Sequence, residues 1–188
     1  PLRPQIRAQQ LSKTEVNREL HKHRIATTPY GDLLQPIDMT LKSGQIAQVE
    51  VVNLCAMLWY LASQSDAGNA FLIEHLGSKG ICNIASYCDG VTPGNALRPD
   101  EGRSFEAIYW TIRELPAWYR SKKAVGWMPL CFVPSAIVKD IDGGMSAIST
   151  MVLKTCFPED TSSHNIHRTS IILRHNGADI SMRCLFSC

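Results

Sequence analysis

Apolar positions along the chain fall into separate blocks, and each block predicts an element. Residues 46–63, "IAQVEVVNLCAMLWYLAS", are the most apolar, with Gln48, Glu50 and Asn53 as one narrow wet strip. Length favours a buried central helix there over a strand. Asn69 to Leu76 reads as a short helix that Gly77 stops. In 105–115, Phe105, Ile108, Tyr109 and Ile112 recur at helical spacing, with Ser104 placed to N-cap and Pro116 to terminate. Ser135–Ile141 and Met145–Cys156 predict two more helices, split by Asp142-Gly143-Gly144. Residues 26–45 and 78–103, rich in Gly, Pro and polar residues, read as loop.

Both ends differ from this middle. Pro1 to Gln9 reads as an extended arm, and Ser12-Lys-Thr-Glu15 as a capping box opening a polar helix to about His23. At the other end Asn176-Gly177 is a strong two-residue hairpin signal. With that loop Arg174 faces Asp179, Leu173 faces Ile180 and Ile171 faces Met182, so charge pairing and the apolar face agree. The expected fold is mainly α: a basic arm with a short helix over 1–24, a compact helical core over 25–158 and a C-terminal β-hairpin segment over 159–188.

Composition permits such a core. The chain has 188 residues, 45% of them hydrophobic, and a net charge of only +2, so a polybasic reading fails. Charge is local instead. Residues 1–24 carry six Lys and Arg against Glu15 and Glu19, and Arg113, Arg120, Lys122 and Lys123 face a lone Glu114. Seven cysteines, an odd number scattered among apolar neighbours behind a polar, basic N-terminus, fit reduced thiols in a cytosolic setting better than a secreted disulfide framework. No apolar run approaches the roughly 20 residues of a membrane helix.

Four candidate chemistries arise. His164, His167, Cys184 and Cys188 offer four zinc-type ligands, but in no familiar spacing and with both cysteines on the hairpin's apolar face; core thiols and loop histidines account for them, and no metal or other cofactor is expected. Cysteine nucleophiles need a nearby base, and seven cysteines with six histidines give chance pairs without a protease signature, so no catalytic residue is assigned. Gly77-Ser-Lys79-Gly80 and Asp142-Gly-Gly144 do not fit a P-loop. The fourth is the basic, aromatic run at 113–123. Arg113, Arg120, Lys122 and Lys123 can neutralise phosphates, while Trp118 and Tyr119 offer stacking surface to unpaired bases. The bland alternative is buried rings with solubilising lysines.

Several stretches resemble the coat proteins of flexible filamentous plant RNA viruses, especially the closterovirus-like branch. They are "QLSKTEVNREL" at 10–20, "AMLWYLASQS" at 56–65, "SKGICN" at 78–83, "NALRPDEGRSFEAIYW" at 95–110 and "PLCF" at 129–132. The family's Asp after the Cys is missing, since Phe132 and Val133 follow Cys131, and a C-terminal hairpin is not a family feature. The resemblance implies a helical core that polymerises around single-stranded RNA, with N- and C-terminal arms reaching neighbouring subunits. It places an Arg near the RNA groove, at Arg98 or Arg103. The expectation is therefore a non-enzymatic, self-assembling viral coat or nucleoprotein, found in the virion and host cytoplasm. Arg98, Arg103, Arg113, Arg120, Lys122 and Lys123 would contact phosphates with little base readout, and Trp118 and Tyr119 would stack. The alternatives are a matrix-type or scaffold interaction module and a small zinc or Cys/His protein.

Overall fold

A computed structural model describes residues 21–22, 26–77, 80–92, 104–122, 126–157, 159–161, 166–175 and 178–187. The predicted N-terminal arm and helix fall almost wholly outside these residues, as do Arg98, Arg103 and Lys123.

The expected mainly α fold is overturned: the chain is mixed α and β, organised by an eight-stranded sheet. A two-stranded ribbon, β1 (Thr27–Thr28) and β2 (Gly31–Asp32), precedes β3 (Leu34–Thr40) and β4 (Ile46–Val52). Helices α1 (Leu54–Ser63) and α2 (Asp66–Leu72) follow, the latter continued by a π-helical turn to Gly77. Then come β5 (Ile81–Val91), β6 (Phe105–Ile112), the one-turn α3 (Ala117–Arg120), β7 (Met128–Pro134), α4 (Ser135–Asp140) and α5 (Gly144–Cys156). Strands β8 (Glu159–Thr161), β9 (Ile166–His175) and β10 (Ala178–Ser187) end the chain. The spatial order is β3-β4-β7-β6-β5-β10-β9-β8, with β10 parallel to β5 and every other neighbour antiparallel. The helical core implied by the coat-protein resemblance is thus replaced by a sheet.

The helix predicted over 46–63 is helical only from Leu54, and the one predicted over 105–115 is a strand, each for an identifiable reason. In 46–63 the first half alternates: Val49 and Val51 are buried while Gln48 and Glu50 are exposed, which is the period of a strand with one wet face. Asn53 then breaks the run. Its backbone N–H donates to Leu33 O at 2.9 Å, its side-chain oxygen accepts from Ala56 N at 3.1 Å as the N-cap of α1, and its amide donates to Tyr30 O at 2.7 Å. In 105–115 the apolar residues sit on a central strand paired on both edges, and such a strand carries apolar residues on both faces, so its run mimics a helical stripe. Ile108 and Ile112 face the core, whereas Phe105 and Tyr109, at odd spacing from them, lie on the opposite face and are half-exposed. Ser104 caps no helix; its carbonyl accepts from Ser135 N at 2.9 Å. Pro116 starts α3 rather than ending a helix, its carbonyl taking Tyr119 N and Arg120 N.

The loops predicted at 26–45 and 78–103 hold β1, β2, β3 and β5. Pro36 was read as a turn residue, yet it sits in β3, the edge strand of the sheet, where a missing N–H costs no ladder bond. The helix predicted at 69–76 runs from Asp66 with its π-helical end at Gly77. The two helices around Asp142-Gly-Gly144 are present, and Gly143 at φ 79° supplies the left-handed residue that separates them. The hairpin register is as expected, with Arg174 opposite Asp179, Leu173 opposite Ile180 and Ile171 opposite Met182; its loop lies outside the described residues.

One face of the sheet carries a continuous buried stripe: Ile37 and Met39, Val49 and Val51, Cys131 and Val133, Ile108, Trp110 and Ile112, Cys82 and Ile84, and Cys184. Leu54 and Leu58 of α1, Ile148 and Val152 of α5, and Phe157 complete the core. The opposite face is more open and holds Phe105, Tyr109, Phe132 and Tyr87, with Phe132 and Tyr87 about half exposed. Replacing Asn53 by Ala removes the cap and the bond to Tyr30 together. We expect a loss of about 1–3 kcal/mol of stability in urea unfolding, with Asn53→Asp, which keeps the cap alone, recovering part of it.

Candidate functional site

The segment from Arg113 to Trp127 joins β6 to β7 and contributes lining residues to two hollows. It is pinned to the sheet at its start. Arg113 N donates to Asn83 O at 2.9 Å, and the Glu114 carboxylate accepts from Asn83 N at 2.9 Å and from its side-chain amide at 2.6 Å. Leu115 is buried and its carbonyl accepts from Arg120 Nε at 2.9 Å, which closes the turn that presents α3.

The first hollow, about 290 Å³, is lined by Phe71, Trp118, Tyr119 and Lys122. Phe71 comes from α2. Its ring centroid lies 5.2 Å from Tyr119 and 6.0 Å from Trp118, and His75 packs on its other side at 4.6 Å. Trp118 is 57% exposed, so it is a surface ring and not a core ring. The Lys122 ammonium stands 5.5 Å from its ring centroid. Burial raises the Tyr119 phenol above its ordinary pKa, so the ring stays neutral at any physiological pH.

The expected site is therefore brought together in part. Trp118, Tyr119 and Lys122 converge. Arg120 shares the turn but is half-buried, its Nε held by Leu115. Arg113 is exposed at the end of β6 and does not line the hollow among the described residues. Phe71 was missed, since a residue over 40 positions away leaves no local signal.

The second hollow, about 520 Å³, lies on the open face of the sheet and is lined by Tyr87, Asp89, Tyr109 and Trp127. Tyr87 and Tyr109 are directly opposed across β5 and β6. Trp127 meets Tyr87 edge-on at 6.1 Å and 67°. The β6–β7 register slips between Ile108 and Tyr109, so Ile108 pairs with Cys131 but Tyr109 with Pro129, leaving Leu130 as the extra, buried residue. The bulge also accommodates Pro129 in an inner strand. Nothing in the sequence reading marked Tyr87 or Asp89, because 78–103 was read as loop; the alternating Tyr87-Cys88-Asp89 was the available signal.

Gly126 ties the two hollows together. It is buried, donates to Lys122 O at 2.7 Å, and a Cβ there would fall on Tyr119 O and within 2.7 and 2.8 Å of Arg120 Cα and O. Only glycine lets the chain pass this close beneath α3 before Trp127.

Among the described residues no three His, Cys, Asp or Glu side chains form a metal-binding group, and Cys184 is fully buried. His164 and Cys188 of the proposed zinc set lie outside the described residues. Cys184 stands opposite Cys82 on adjacent strands, and hydrogen bonds with Cys55 and Cys82 together with burial hold its thiol far above its ordinary pKa. Burial pushes Cys131 and Cys156 up to about 12. Cys88, the exposed thiol of the described six, is also raised, by partial burial and then by the Glu106 and Asp89 carboxylates. These are packed thiols and not thiolate nucleophiles.

Among the described residues no helix is long and apolar enough to cross a membrane. Comparison with known protein families and with curated proteins finds no match to this chain.

Two outcomes follow. A Gly126→Ala chain should lose about 1–3 kcal/mol in urea unfolding because backbone must shift, while Gly68→Ala in α2, with only ordinary contacts from 3.6 Å outward, should be neutral or stabilising by about 0.5–1 kcal/mol. The thiols that titrate higher folded than unfolded keep their protons longer in the native state, so folding binds protons between pH 9.0 and about 12. The melting temperature should accordingly fall as pH rises through that window, and native iodoacetamide labelling at pH 8 should reach Cys88 before Cys55, Cys82, Cys131, Cys156 or Cys184.

Proposed function

We propose that this protein binds single-stranded RNA without catalysis, in the manner of a coat or nucleoprotein. The observation that carries this reading is the Lys122 ammonium over the exposed Trp118 ring at the lip of the first hollow. A flat exposed ring with a long cationic side chain next to it suits a nucleotide, which is a flat base joined to a phosphate. An unpaired base stacks on Trp118 and Phe71 backs the ring, while Lys122 swings to the phosphate. Stacking tolerates every base, so recognition is independent of sequence. Arg113, exposed at the end of β6, is a further exposed cation on the same connection and suits a neighbouring phosphate. The support comes from the shelf and not from the resemblance to filamentous coat proteins, whose helical core this chain lacks.

The coat-type reading adds self-assembly on RNA. Purified protein should then elute as a large species with high absorbance at the nucleic-acid maximum, and high salt should dissociate it.

Anisotropy of a labelled oligouridylate measures the binding step. Affinity should fall with salt at about 0.7 in log–log slope for each phosphate contacted. Trp118→Ala should weaken binding by about 1–3 kcal/mol at fixed salt, and Lys122→Gln should lower the slope by roughly one contact. Binding that is absent, or indifferent to both salt and Trp118, refutes the proposal.

A further inference from the structure

The second hollow has a different chemistry from the first. Its walls are three aromatic rings from three chain segments, Tyr87 on β5, Tyr109 on β6 and Trp127 just ahead of β7. Tyr87 and Tyr109 stand side by side on the sheet, and Trp127 meets Tyr87 at 67°, so the rings form walls at an angle and not a flat stack. The remaining lining residue is an acid, Asp89, and among the described residues no cation lines the space. A volume near 520 Å³ is within the usual range for a small-molecule site of about 300–1,000 Å³. Tyr87 is 52% exposed, although an aromatic side chain of this size gains by burial, so its position on open surface calls for a role other than packing.

Each ring carries negative charge density on its face, and three converging rings with a carboxylate attract a cation. Among the described residues the polar groups in the lining are two phenol hydroxyls, the Trp127 indole N–H and the Asp89 carboxylate. Asp89 is beside Tyr87 on the same face, accepts from its hydroxyl, and raises its phenol pKa chiefly by charge. Tyr87 therefore stays neutral. A bare ammonium or a guanidinium demands hydrogen-bond acceptors around its N–H groups, and the described lining offers one carboxylate. A methylated ammonium has no such demand: its charge is spread over methyl groups that pack against rings.

We propose that the hollow formed by Tyr87, Asp89, Tyr109 and Trp127 is a binding site for a methylated ammonium group, as carried by choline headgroups and by methylated lysine side chains. The rings enclose the methyl groups and Asp89 balances the charge. This site is separate from the Trp118 shelf and stands independently of RNA binding.

The test is a chemical-shift titration of the Trp127 indole N–H, assigned with Trp127→Phe, using choline and its neutral carbon isostere 3,3-dimethyl-1-butanol. The two have the same shape and differ in charge. Choline should shift the signal saturably, and the isostere should bind roughly five- to thirty-fold more weakly. Asp89→Asn and Tyr87→Leu should each weaken choline by roughly five-fold or more while leaving the remaining indole signals in place. Phosphocholine and a trimethyllysine peptide, compared with its unmethylated form, distinguish the two sources; either one binding better than free choline supports the site and names its ligand. Equal binding of choline and the isostere makes the hollow merely apolar and overturns the proposal. So does the absence of a saturable shift with choline, phosphocholine and the methylated peptide alike.

Discussion

Strand β6 is hydrogen-bonded to β5 on one edge and to β7 on the other, and both of its faces carry large side chains. Ile108, Trp110 and Ile112 enter the core beneath the helices, while Phe105 and Tyr109 stand on the open side. Because side chains alternate along a strand, neither set can move without the other. A slip of one residue would bring Tyr109 into the core and expose Trp110. The bulge at Ile108/Tyr109 is the point where the β6–β7 ladder gives way and Pro129 comes opposite Tyr109, while the regular β5–β6 ladder sets Tyr109 beside Tyr87, which Trp127 meets edge-on. The core and the open face are thus one constraint seen from two sides.

Local signals in the sequence were legible where a single residue type decides the backbone. Asn176-Gly177 gave the register of β9 and β10, and Asp142-Gly-Gly144 gave the break between α4 and α5. Strand β6 was not legible, because apolar residues on both of its faces mask the alternation that identifies strands. Phe105, Ile108, Tyr109 and Ile112 satisfy a helical stripe, yet they divide between two faces in the fold. Asn53 shows the same limit from the other direction. It was read as one more polar point on a helix, when it is the junction where strand ends and helix begins. The site was legible in its local half: Trp118, Tyr119 and Lys122 occupy one turn, so their proximity is written in the spacing. Phe71 and Tyr87 reach the site only through tertiary pairing, which no local pattern encodes.

The two hollows differ in sign, and one short connection contributes to both, with Trp118, Tyr119 and Lys122 in the first and Trp127 in the second. The first has a lysine at an exposed indole, and the second has an aspartate among three rings. A phosphate and a cation therefore sort themselves between sites that share the 113–127 segment. Separation by charge is more discriminating than separation by shape here, because each hollow is open and each offers flat aromatic walls to any apolar group. Under the proposed functions, Asp89 would repel a phosphate that Lys122 attracts, and Lys122 would disfavour an ammonium that Asp89 attracts.

Gly126 decides whether these two chemistries remain independent. Its backbone lies against Tyr119 and Arg120 on one side and leads directly into Trp127 on the other. A ligand that shifts α3 must therefore press on the residue that sets the Trp127 ring, since a close-packed contact of backbone on backbone has no side chain to absorb the motion. The pins at Asn83 and Glu114 oppose such a shift from the β6 end. The connection is thus held at its start by Asn83 and Glu114 and at its closest approach by Gly126, while Trp118 stays exposed between them.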